Sequence, residues 1–584
     1  MRKINYDKKP FTDVYKIKGE AFAGYKKICS ELNCKINKLN KDKVIISIDC
    51  YPGVIDTELL PAFVEGIKPN FIINTLDANH SNEKVFNLIK RDLTDDRVRG
   101  FMSNYSIGEF FDNEKVKLFK NKINSLSEGI VLIYGVGASL ISKADITVYA
   151  DMARWEIQLR YRTKDICNWC ASNFGEDPLK MYKRAFFVDW RVADKHKKNI
   201  FNDIDYFLDT NKKLDPKMIT ASAMMRGLKK TVEKPFRVVP YFDEAPWGGQ
   251  WMKEVCDLDK NKSNYGWCFD CVPEENSLLL KYGDIIFETP SINLVFFYPI
   301  ELLGNKVHAR FGEEFPIRFD FLDTIDGGNL SLQVHPTTSY IQDKFGMHYT
   351  QDESYYMLDA GDDACVYLGT KTGIDKNEMI SDLNKAQDGE IVFDAERYIN
   401  KIPSKKHDHF LIPGGTIHCS GANTMVLEIS ATPYIFTFKL WDWERVGLDG
   451  KPRPIHIDHG KNVINWDWDT EVIHKNHVNC FVKIAEGDGW IEEKTGLHER
   501  EFIETRRHWF TVPVLHNTNG LVNVLNLIEG NEAVVESPTN SFEAFIVHYA
   551  ETFIIPAEVG EYTIRPYGDS EGEKCATLKA YVRV

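Results

Sequence analysis

The chain has 584 residues, of which 43% are hydrophobic and 12% aromatic, so it can form several cores and is not a disordered polymer. At about 150 residues per domain, this length predicts three or four domains. The formal net charge of −14 argues against nucleic acid or an anionic membrane surface as the main partner. No apolar run reaches the roughly 18 residues of a membrane-spanning helix, and the polar start Met1–Pro10 lacks the apolar core of a signal peptide. We expect a cytoplasmic protein with a small-molecule partner, and the sequence leaves its oligomeric state open.

The twelve cysteines are scattered along the chain. They include two C-x-x-C pairs, Cys167 with Cys170 and Cys268 with Cys271. These pairs lie about a hundred residues apart, which is too far for a zinc ribbon. We expect reduced thiols, most of them buried as small apolar side chains.

Residues 1 to about 225 are predicted to form an α/β domain. Short apolar runs predict strands, and charged segments between them predict helices. The runs are Val44–Ile48, Phe71–Asn74, Gly129–Tyr134 and Ile146–Ala150; the helical segments include Glu83–Arg91 and Lys115–Leu126. Alternation of buried strands with helices is typical of a parallel sheet covered on both faces.

Ligands of such a sheet bind at the carboxyl ends of its strands, here the loops Asp49–Asp56 and Gly135–Ser139. Neither loop contains the G-x-x-x-x-G-K-[ST] motif of a phosphate-binding loop. The order of elements, with Ala150–Arg160 after a strand, resembles a uridine-kinase-type P-loop domain that has lost its phosphate loop. That resemblance implies a non-catalytic or regulatory domain, with residual nucleotide binding as the alternative.

The character of the chain changes after a polar, Lys-rich stretch at about 210–235. Short strands with frequent Gly, Pro and Asp follow, which predicts a β-rich half. Within it, Asn329–Pro336 alternates as a strand does, with Ser331, Gln333 and His335 on one face. Gln333 and His335 therefore leave the same side of the sheet, and Pro336 ends the strand.

Two later segments supply further metal ligands. Glu353 lies in the alternating run Gln351–Asp359, and His418 follows a Pro-Gly-Gly turn after another strand. An N/O set of Gln333, His335, Glu353 and His418 converging from three strands suits zinc or another divalent first-row metal, with a position left open for substrate. Each residue alone has a structural explanation, and the joint pattern is what indicates a metal site.

The segment Glu314–Thr324, followed by the Gln-Val-His-Pro strand, resembles the signature of class I mannose-6-phosphate isomerases. The segments Gly415–His418, Val426–Ile429, Trp441–Arg445 and Glu543–Ala557 resemble further parts of that family. The resemblance covers about 236–584 and implies an all-β bicupin with some helical insertion: a catalytic metal-binding cupin at 236–470 and a C-terminal cupin at 471–584. Gln333, His335, Glu353 and His418 occupy the family's four metal positions.

The sequence departs from the family near the substrate. The family has a Lys two residues before the metal-binding Glu, where this chain has Gln351. The family's active-site Arg aligns with Lys439. A planar guanidinium that binds phosphate through two hydrogen bonds is therefore replaced by an ammonium group, which acts as a point charge. These departures indicate a different or unphosphorylated sugar as the alternative substrate.

The resemblance implies aldose–ketose isomerisation through an enediol, which needs a general base and a means of spreading oxyanion charge. Glu428 is the favoured base, with Asp442 and His456 as alternatives. Lys439 and Arg445 are assigned to the oxyanion or to phosphate. A salt bridge or a core hydrogen bond is the competing interpretation for each of these residues.

Three functions follow. The favoured one is a metal-dependent isomerase of mannose 6-phosphate and fructose 6-phosphate. The second is an isomerase or epimerase of another sugar, phosphorylated or unphosphorylated, as Gln351 and Lys439 suggest. The third is a non-enzymatic sugar sensor, in which a silent cupin reports to the N-terminal domain.

Overall fold

The computed structural model describes residues 4–431, 436–446, 453, 455–496 and 501–584. The chain divides into two units. The parallel-sheet unit comprises Phe11–Lys230 and Ser277–Phe296, and the sandwich unit comprises the stretch that ends at Pro10, together with Thr231–Asn276 and Phe297–Val584. The chain therefore returns to the parallel-sheet unit for one short segment that the sequence analysis does not include.

The strands, in chain order, are β1 (Phe11–Val14), β2 (Ala21–Ala23), β3 (Lys43–Cys50), β4 (Phe71–Asn74), β5 (Gly129–Gly135), β6 (Ile146–Asp151), β7 (Tyr206–Asp209), β8 (Lys217–Thr220), β9 (Tyr241–Asp243), β10 (Trp267–Cys271), β11 (Ser277–Tyr282), β12 (Ile285–Pro290), β13 (Arg318–Asp323), β14 (Leu332–Val334), β15 (Asp352–Ala360), β16 (Cys365–Thr370), β17 (Ile399–Pro403), β18 (His409–Ile412), β19 (Ile417–Ser420), β20 (Thr424–Ala431), β21 (Phe438–Trp441), β22 (Val482–Gly487), β23 (Trp490–Lys494), β24 (Ile503–Phe510), β25 (Val514–Asn517), β26 (Asn523–Glu529), β27 (Glu532–Glu536), β28 (Phe545–His548), β29 (Thr552–Ile555), β30 (Glu561–Pro566) and β31 (Cys575–Val582).

The α-helices are α1 (Tyr25–Leu39), α2 (Asp56–Ile67), α3 (Asn82–Leu93), α4 (Asn113–Ser125), α5 (Ala138–Ile141), α6 (Arg154–Arg162), α7 (Pro178–Arg184), α8 (Trp190–Ile200), α9 (Ala221–Val232), α10 (Trp251–Val255), α11 (Ile292–Phe297), α12 (Pro299–Leu303), α13 (Asn305–Phe311), α14 (Thr338–Phe345), α15 (Lys376–Gln387), α16 (Ala395–Tyr398), α17 (Ile457–Gly460) and α18 (Thr470–Asn476).

The parallel-sheet unit is built on a sheet of order β2-β8-β7-β6-β3-β5-β4. The strands from β4 to β7 are mutually parallel, and β8 and β2 add antiparallel pairs at one edge. The last five residues of β3 are all buried, as expected of a central strand covered on both faces. The predicted parallel sheet is thus confirmed, and β11 and β12 form a separate sheet with β1.

The sandwich unit contains two pairs of sheets. In the first pair, a six-stranded sheet of order β18-β15-β20-β13-β10-β9 faces a five-stranded sheet of order β17-β16-β19-β14-β21. In the second pair, the sheets β22-β23-β24-β31-β26-β29 and β25-β30-β27-β28 enclose a core that includes Phe510, Leu525, Val535 and Ile564. Antiparallel sheets packed in pairs are consistent with the predicted cupin-like architecture. The predicted domain bounds within it stay a prediction.

Local sequence explains the helix that follows β14 and the turn that precedes β19. Thr337 caps the N-terminus of α14 by accepting a hydrogen bond from the Tyr340 amide, and Gly346 ends the helix in a left-handed conformation. Before β19, the predicted Pro-Gly-Gly turn lies against the end of β14, and the Gly415 amide donates to the His335 carbonyl at 2.9 Å. A Cβ on Gly414 would lie 2.6 Å from the Pro336 carbonyl oxygen, so this close approach requires glycine.

All twelve cysteines have free thiols and nine of them are buried, as predicted. Among the described residues, no helix combines the length and the apolar composition needed to cross a membrane.

Candidate metal centre

Four side chains predicted as metal ligands meet between the two sheets of the first pair. On the five-stranded sheet, Gln333 of β14 lies directly opposite His418 of β19. His335 follows β14 on the same face as Gln333. Glu353 comes from β15 of the facing sheet. Each of these residues is buried, His418 and Glu353 completely.

The ligand atoms of His335, Glu353 and His418 all lie within 4.8 Å of one another. Glu353 Oε2 is 3.0 Å from His335 Nε2, and Glu353 Oε1 is 2.9 Å from His418 Nε2. The Gln333 amide is 3.2 Å from His418 Nε2, and a half-turn of that amide places its oxygen there. Two ligands of a tetrahedral zinc ion are expected ~3.4 Å apart, from Zn–ligand distances of about 2.0–2.1 Å, so the donor set has nearly the right size.

The hydrogen bonds of the two imidazoles show that the donor set fits a cation. His335 Nδ1 donates to the Phe436 carbonyl and His418 Nδ1 to the Thr416 carbonyl, both at 2.9 Å. With the proton on Nδ1, each Nε2 carries a lone pair that points at the Glu353 carboxylate. Although the distances are short, His335 Nε2 and Glu353 Oε1 have no hydrogen-bond partner among the described residues. Lone pairs and a carboxylate that converge in a dry site are stabilised by a positive ion.

The pKa values of Glu353 and His418 are shifted in the directions that burial and the charges of the neighbouring ligands explain. Burial works to raise the pKa of Glu353, but His335 and His418 outweigh it and hold that pKa below its usual value. Burial lowers the pKa of His418, against the opposing effect of the Glu353 carboxylate. An ionised Glu353 and a neutral His418 are the protonation states in which both side chains bind a metal.

Glu428 lies next to this cluster. It sits on β20, in register with Tyr355 of β15 and Asp320 of β13, so the three side chains share one face of the six-stranded sheet. Gln351 Nε2 donates to Glu353 Oε2 at 2.9 Å and, more weakly, to Glu428 Oε1 at 3.4 Å. Burial and then the Glu353 and Asp320 carboxylates raise the pKa of Glu428 well above its usual value.

The same face carries polar residues that the sequence analysis did not select, chiefly Arg318 and Asp320. Both are almost completely buried, and Arg318 Nη2 lies 3.6 Å from Asp320 Oδ2. Arg318 Nε, Asp320 Oδ1 and the Tyr355 hydroxyl have no hydrogen-bond partner among the described residues. Burial raises the pKa of Asp320 to about 7, with Arg318 opposing and Glu353 adding to the rise. Alternation of Arg318 and Asp320 with Phe319 and Phe321 is the sequence signal that could have identified this face.

Asp442 and Arg445 bind each other at the end of β21. Asp442 Oδ1 accepts hydrogen bonds from the Ser331 hydroxyl at 2.7 Å and from Arg445 and Arg453 at 3.0 Å each. Ser331 precedes Gln333 by two residues on the same face, about 7 Å along the strand. All three bonds end on Oδ1, which favours a positioning role for Asp442 and Arg445. Oδ2 has no hydrogen-bond partner among the described residues.

Lys439 of β21 is the register partner of Gln333, on the side opposite His418. Its side chain therefore leaves the sheet on the same face as the metal ligands and is half-buried. His456 is held by its backbone amide, which donates to the Lys439 carbonyl at 2.8 Å, and its ring packs against Phe438. The strand registers thus place Glu428 and Lys439 beside residues of the candidate site, whereas His456 contacts Phe438 and the Lys439 backbone.

A family model described as a domain of unknown function (DUF8485) matches residues 24–233. This match covers most of the predicted N-terminal domain, residues 1 to about 225, and ends a few residues beyond it. The resemblance of that part to a uridine-kinase-type P-loop domain stays a prediction.

Among curated proteins, a putative mannose-6-phosphate isomerase (YvyI) of Bacillus subtilis strain 168 is 22% identical over 349 residues, which is 57% of this chain and 96% of the relative. A mannose-6-phosphate isomerase of Streptococcus mutans is 26% identical over 222 residues, 37% of this chain and 64% of the relative. Among solved structures, the mannose 6-phosphate isomerase from Bacillus subtilis aligns with a TM-score of 0.49 at 19% identity, over 60% of this chain and all of that one. The two curated relatives confirm the predicted resemblance to mannose-6-phosphate isomerases, at low identity.

Proposed function

We propose that this protein is a metal-dependent aldose–ketose isomerase that interconverts mannose 6-phosphate and fructose 6-phosphate in the cytoplasm. One observation carries the proposal: two imidazoles with Nδ1 protonated present their Nε2 lone pairs to a fully buried carboxylate. The low-identity relatives named as mannose-6-phosphate isomerases support the choice of substrate.

In the proposed reaction, which passes through an enediol, a proton moves between C2 and C1 of the sugar and a hydroxyl proton moves between O2 and O1. Gln333, His335, Glu353 and His418 would hold zinc or another divalent ion, which supplies Lewis-acid stabilisation of the sugar oxygens. Glu428, buried beside this set, takes the proton from one carbon and returns it to the other. Lys439 stabilises negative charge on the substrate, and the buried faces of the two sheets exclude water. Asp442 keeps Arg445 and Arg453 in place next to the same strand.

A second substrate class is favoured by the charges on the inner face. Gln351 is a neutral donor between Glu353 and Glu428, and Asp320 adds a third carboxylate close by. Arg318 lies beside these acids, and its guanidinium is 3.6 Å from the Asp320 carboxylate, which partly balances its charge. A sugar without phosphate would not add a dianion to a buried face that already carries three carboxyl groups. The alternative is therefore an isomerase or epimerase of an unphosphorylated sugar.

The decisive experiment compares free and phosphorylated hexoses as substrates of the purified chain with added Zn²⁺, Mn²⁺ or Co²⁺. Conversion of mannose 6-phosphate into fructose 6-phosphate with the highest kcat/KM supports the proposal. Equal or higher kcat/KM for free mannose supports the alternative. Absence of turnover with every sugar and metal, combined with a sugar-induced rise in melting temperature, would instead support a non-enzymatic sensor.

Replacing Lys439 by Met is expected to raise KM for mannose 6-phosphate about 10–100-fold. A charge-assisted hydrogen bond contributes about 1.5–3 kcal/mol, and about 1.4 kcal/mol corresponds to a tenfold change. Steady-state kinetics with mannose and with its 6-phosphate measure the effect, and Lys461→Met, on the exposed surface after α17, is the matched control. An equal loss on both sugars would show that Lys439 acts on the reacting oxygens and not on phosphate.

A further inference from the structure

We propose a second ligand site, inside the parallel-sheet unit, that binds a neutral polyhydroxylated ring such as a free monosaccharide or a nucleoside. The site is a cavity of about 240 Å³ at the carboxyl ends of β3, β4 and β5. It is separate from the candidate metal centre and does not depend on the proposed isomerase activity.

The position of the cavity follows from the sheet order. The segment that follows β3, from Cys50 to Asp56, lines one side, and residues of the segment 74–82 after β4 line another. Gly135 and Val136, at the end of β5, lie between them, because β5 is the strand between β3 and β4. In open parallel sheets, ligands bind outside the carboxyl ends of the strands.

Unpartnered polar atoms on the lining residues leave hydrogen-bonding capacity next to the cavity. Thr75 Oγ1, Asn79 Oδ1 and Trp169 Nε1 are buried and have no hydrogen-bond partner among the described residues. Each of the three side chains is at most 6% exposed. A buried polar group without a partner costs about 1–3 kcal/mol, so three around one cavity call for a partner that supplies donors and acceptors.

Phe110 fixes two of these groups in place. The Asn79 amide nitrogen donates to the Phe110 carbonyl at 3.3 Å, which leaves Oδ1 as the remaining acceptor. The indole of Trp169 stacks on the Phe110 ring with 4.7 Å between centroids. Together with the Thr75 hydroxyl, this indole N–H and this amide oxygen match the hydroxyl groups of a sugar or a ribose.

The local charges exclude phosphate as the preferred group. No Lys or Arg is among the described residues that line the cavity, whereas the Asp56 carboxylate is. The turn after β5 offers no anion cradle either, because the Gly137 and Ser139 amides both donate to the buried Asp49 carboxylate at 2.9 Å. A phosphate group here would meet the Asp56 carboxylate, and no Lys or Arg among the described lining residues would balance the two charges.

The size of the cavity limits the ligand to one small ring system. Its 240 Å³ correspond to about eight water molecules at ~30 Å³ each. Pockets for drug-sized ligands begin at about 300 Å³. A monosaccharide or a nucleoside suits this volume better than a dinucleotide.

Calorimetric titration of the full chain with mannose, fructose, uridine and adenosine, and with their monophosphates, tests the proposal. We expect saturable one-to-one binding of a neutral compound and at least tenfold weaker binding of its phosphorylated form. Asn79→Leu and the isosteric Thr75→Val should each weaken this binding about tenfold. Both ligand classes present ring hydroxyl groups. Whether the sugars or the nucleosides bind shows which class the site takes.

Two controls separate this site from the metal centre. His418→Ala should retain the Asn79-dependent binding, and Asn79→Leu should retain the isomerase activity and the circular dichroism spectrum of the wild type. The proposal is overturned if no neutral compound binds, if binding is unchanged in both Asn79→Leu and Thr75→Val, or if the phosphorylated forms bind more tightly.

Discussion

The His418→Ala variant is expected to lose its bound divalent metal and its isomerase activity together. His418 is fully buried, its Nδ1 proton is committed to the Thr416 carbonyl, and its Nε2 lies 2.9 Å from Glu353. Removing it leaves three ligands and a partly desolvated carboxylate. Because metal stabilisation of a developing oxyanion contributes several kcal/mol, kcat/KM should fall by about 10³-fold or more.

Metal content by mass spectrometry and kcat/KM for mannose 6-phosphate, measured on the same preparations, check this expectation. His474→Ala, on the exposed side of α18, is the matched control and should resemble the wild type in both measurements. Full metal content in His418→Ala would show that the ion is held without this imidazole. Full activity without metal would end the proposal of a metal-dependent isomerase.

The ligand set could be predicted from the sequence because its geometry is local. Two-residue alternation places Gln333 and His335 on one side of a strand, and Pro336 marks where that strand ends. The Pro-Gly-Gly turn sets the start of β19, so His418 arrives opposite Gln333. Parallel-strand character was equally visible in β3, whose apolar run is buried by its neighbours.

The remaining features depend on pairings between strands that are distant in the sequence. Asp320 faces Glu428 across 108 positions, and the sequence does not specify such a register. The return of Ser277–Phe296 to the parallel-sheet unit likewise depends on a long-range contact, because β11 pairs with β1 from the start of the chain. Asp442 is one of several candidate acids, and the three hydrogen bonds to its Oδ1, which the sequence does not reveal, are what favour a positioning role.

Replacing Glu428 by Gln should lower kcat by about 10²–10⁴-fold, which is the usual contribution of a positioned general base. The metal content should stay near that of the wild type, because Glu428 is not one of the four ligands. Gln keeps the shape of the side chain, so KM should change little. Steady-state kinetics measure kcat and KM, metal analysis measures the metal content, and exchange of the C2 proton of the substrate with deuterated solvent measures proton transfer. Loss of solvent exchange at unchanged metal content is the result that a purely structural role would not give.

Asp442→Asn provides the contrasting case. Its carboxylate accepts bonds from Ser331, Arg445 and Arg453, so the substitution weakens an ion-pair cluster and leaves the proton acceptor intact. We expect a smaller loss in kcat/KM, about tenfold, with proton exchange retained. If Asp442→Asn abolished exchange and Glu428→Gln did not, the roles of the two acids would be reversed. Because Glu428 lies on the same strand face as Tyr355 and Asp320, in contact range of Gln351 and Glu353, the geometry favours Glu428 as the group that reaches the sugar carbon.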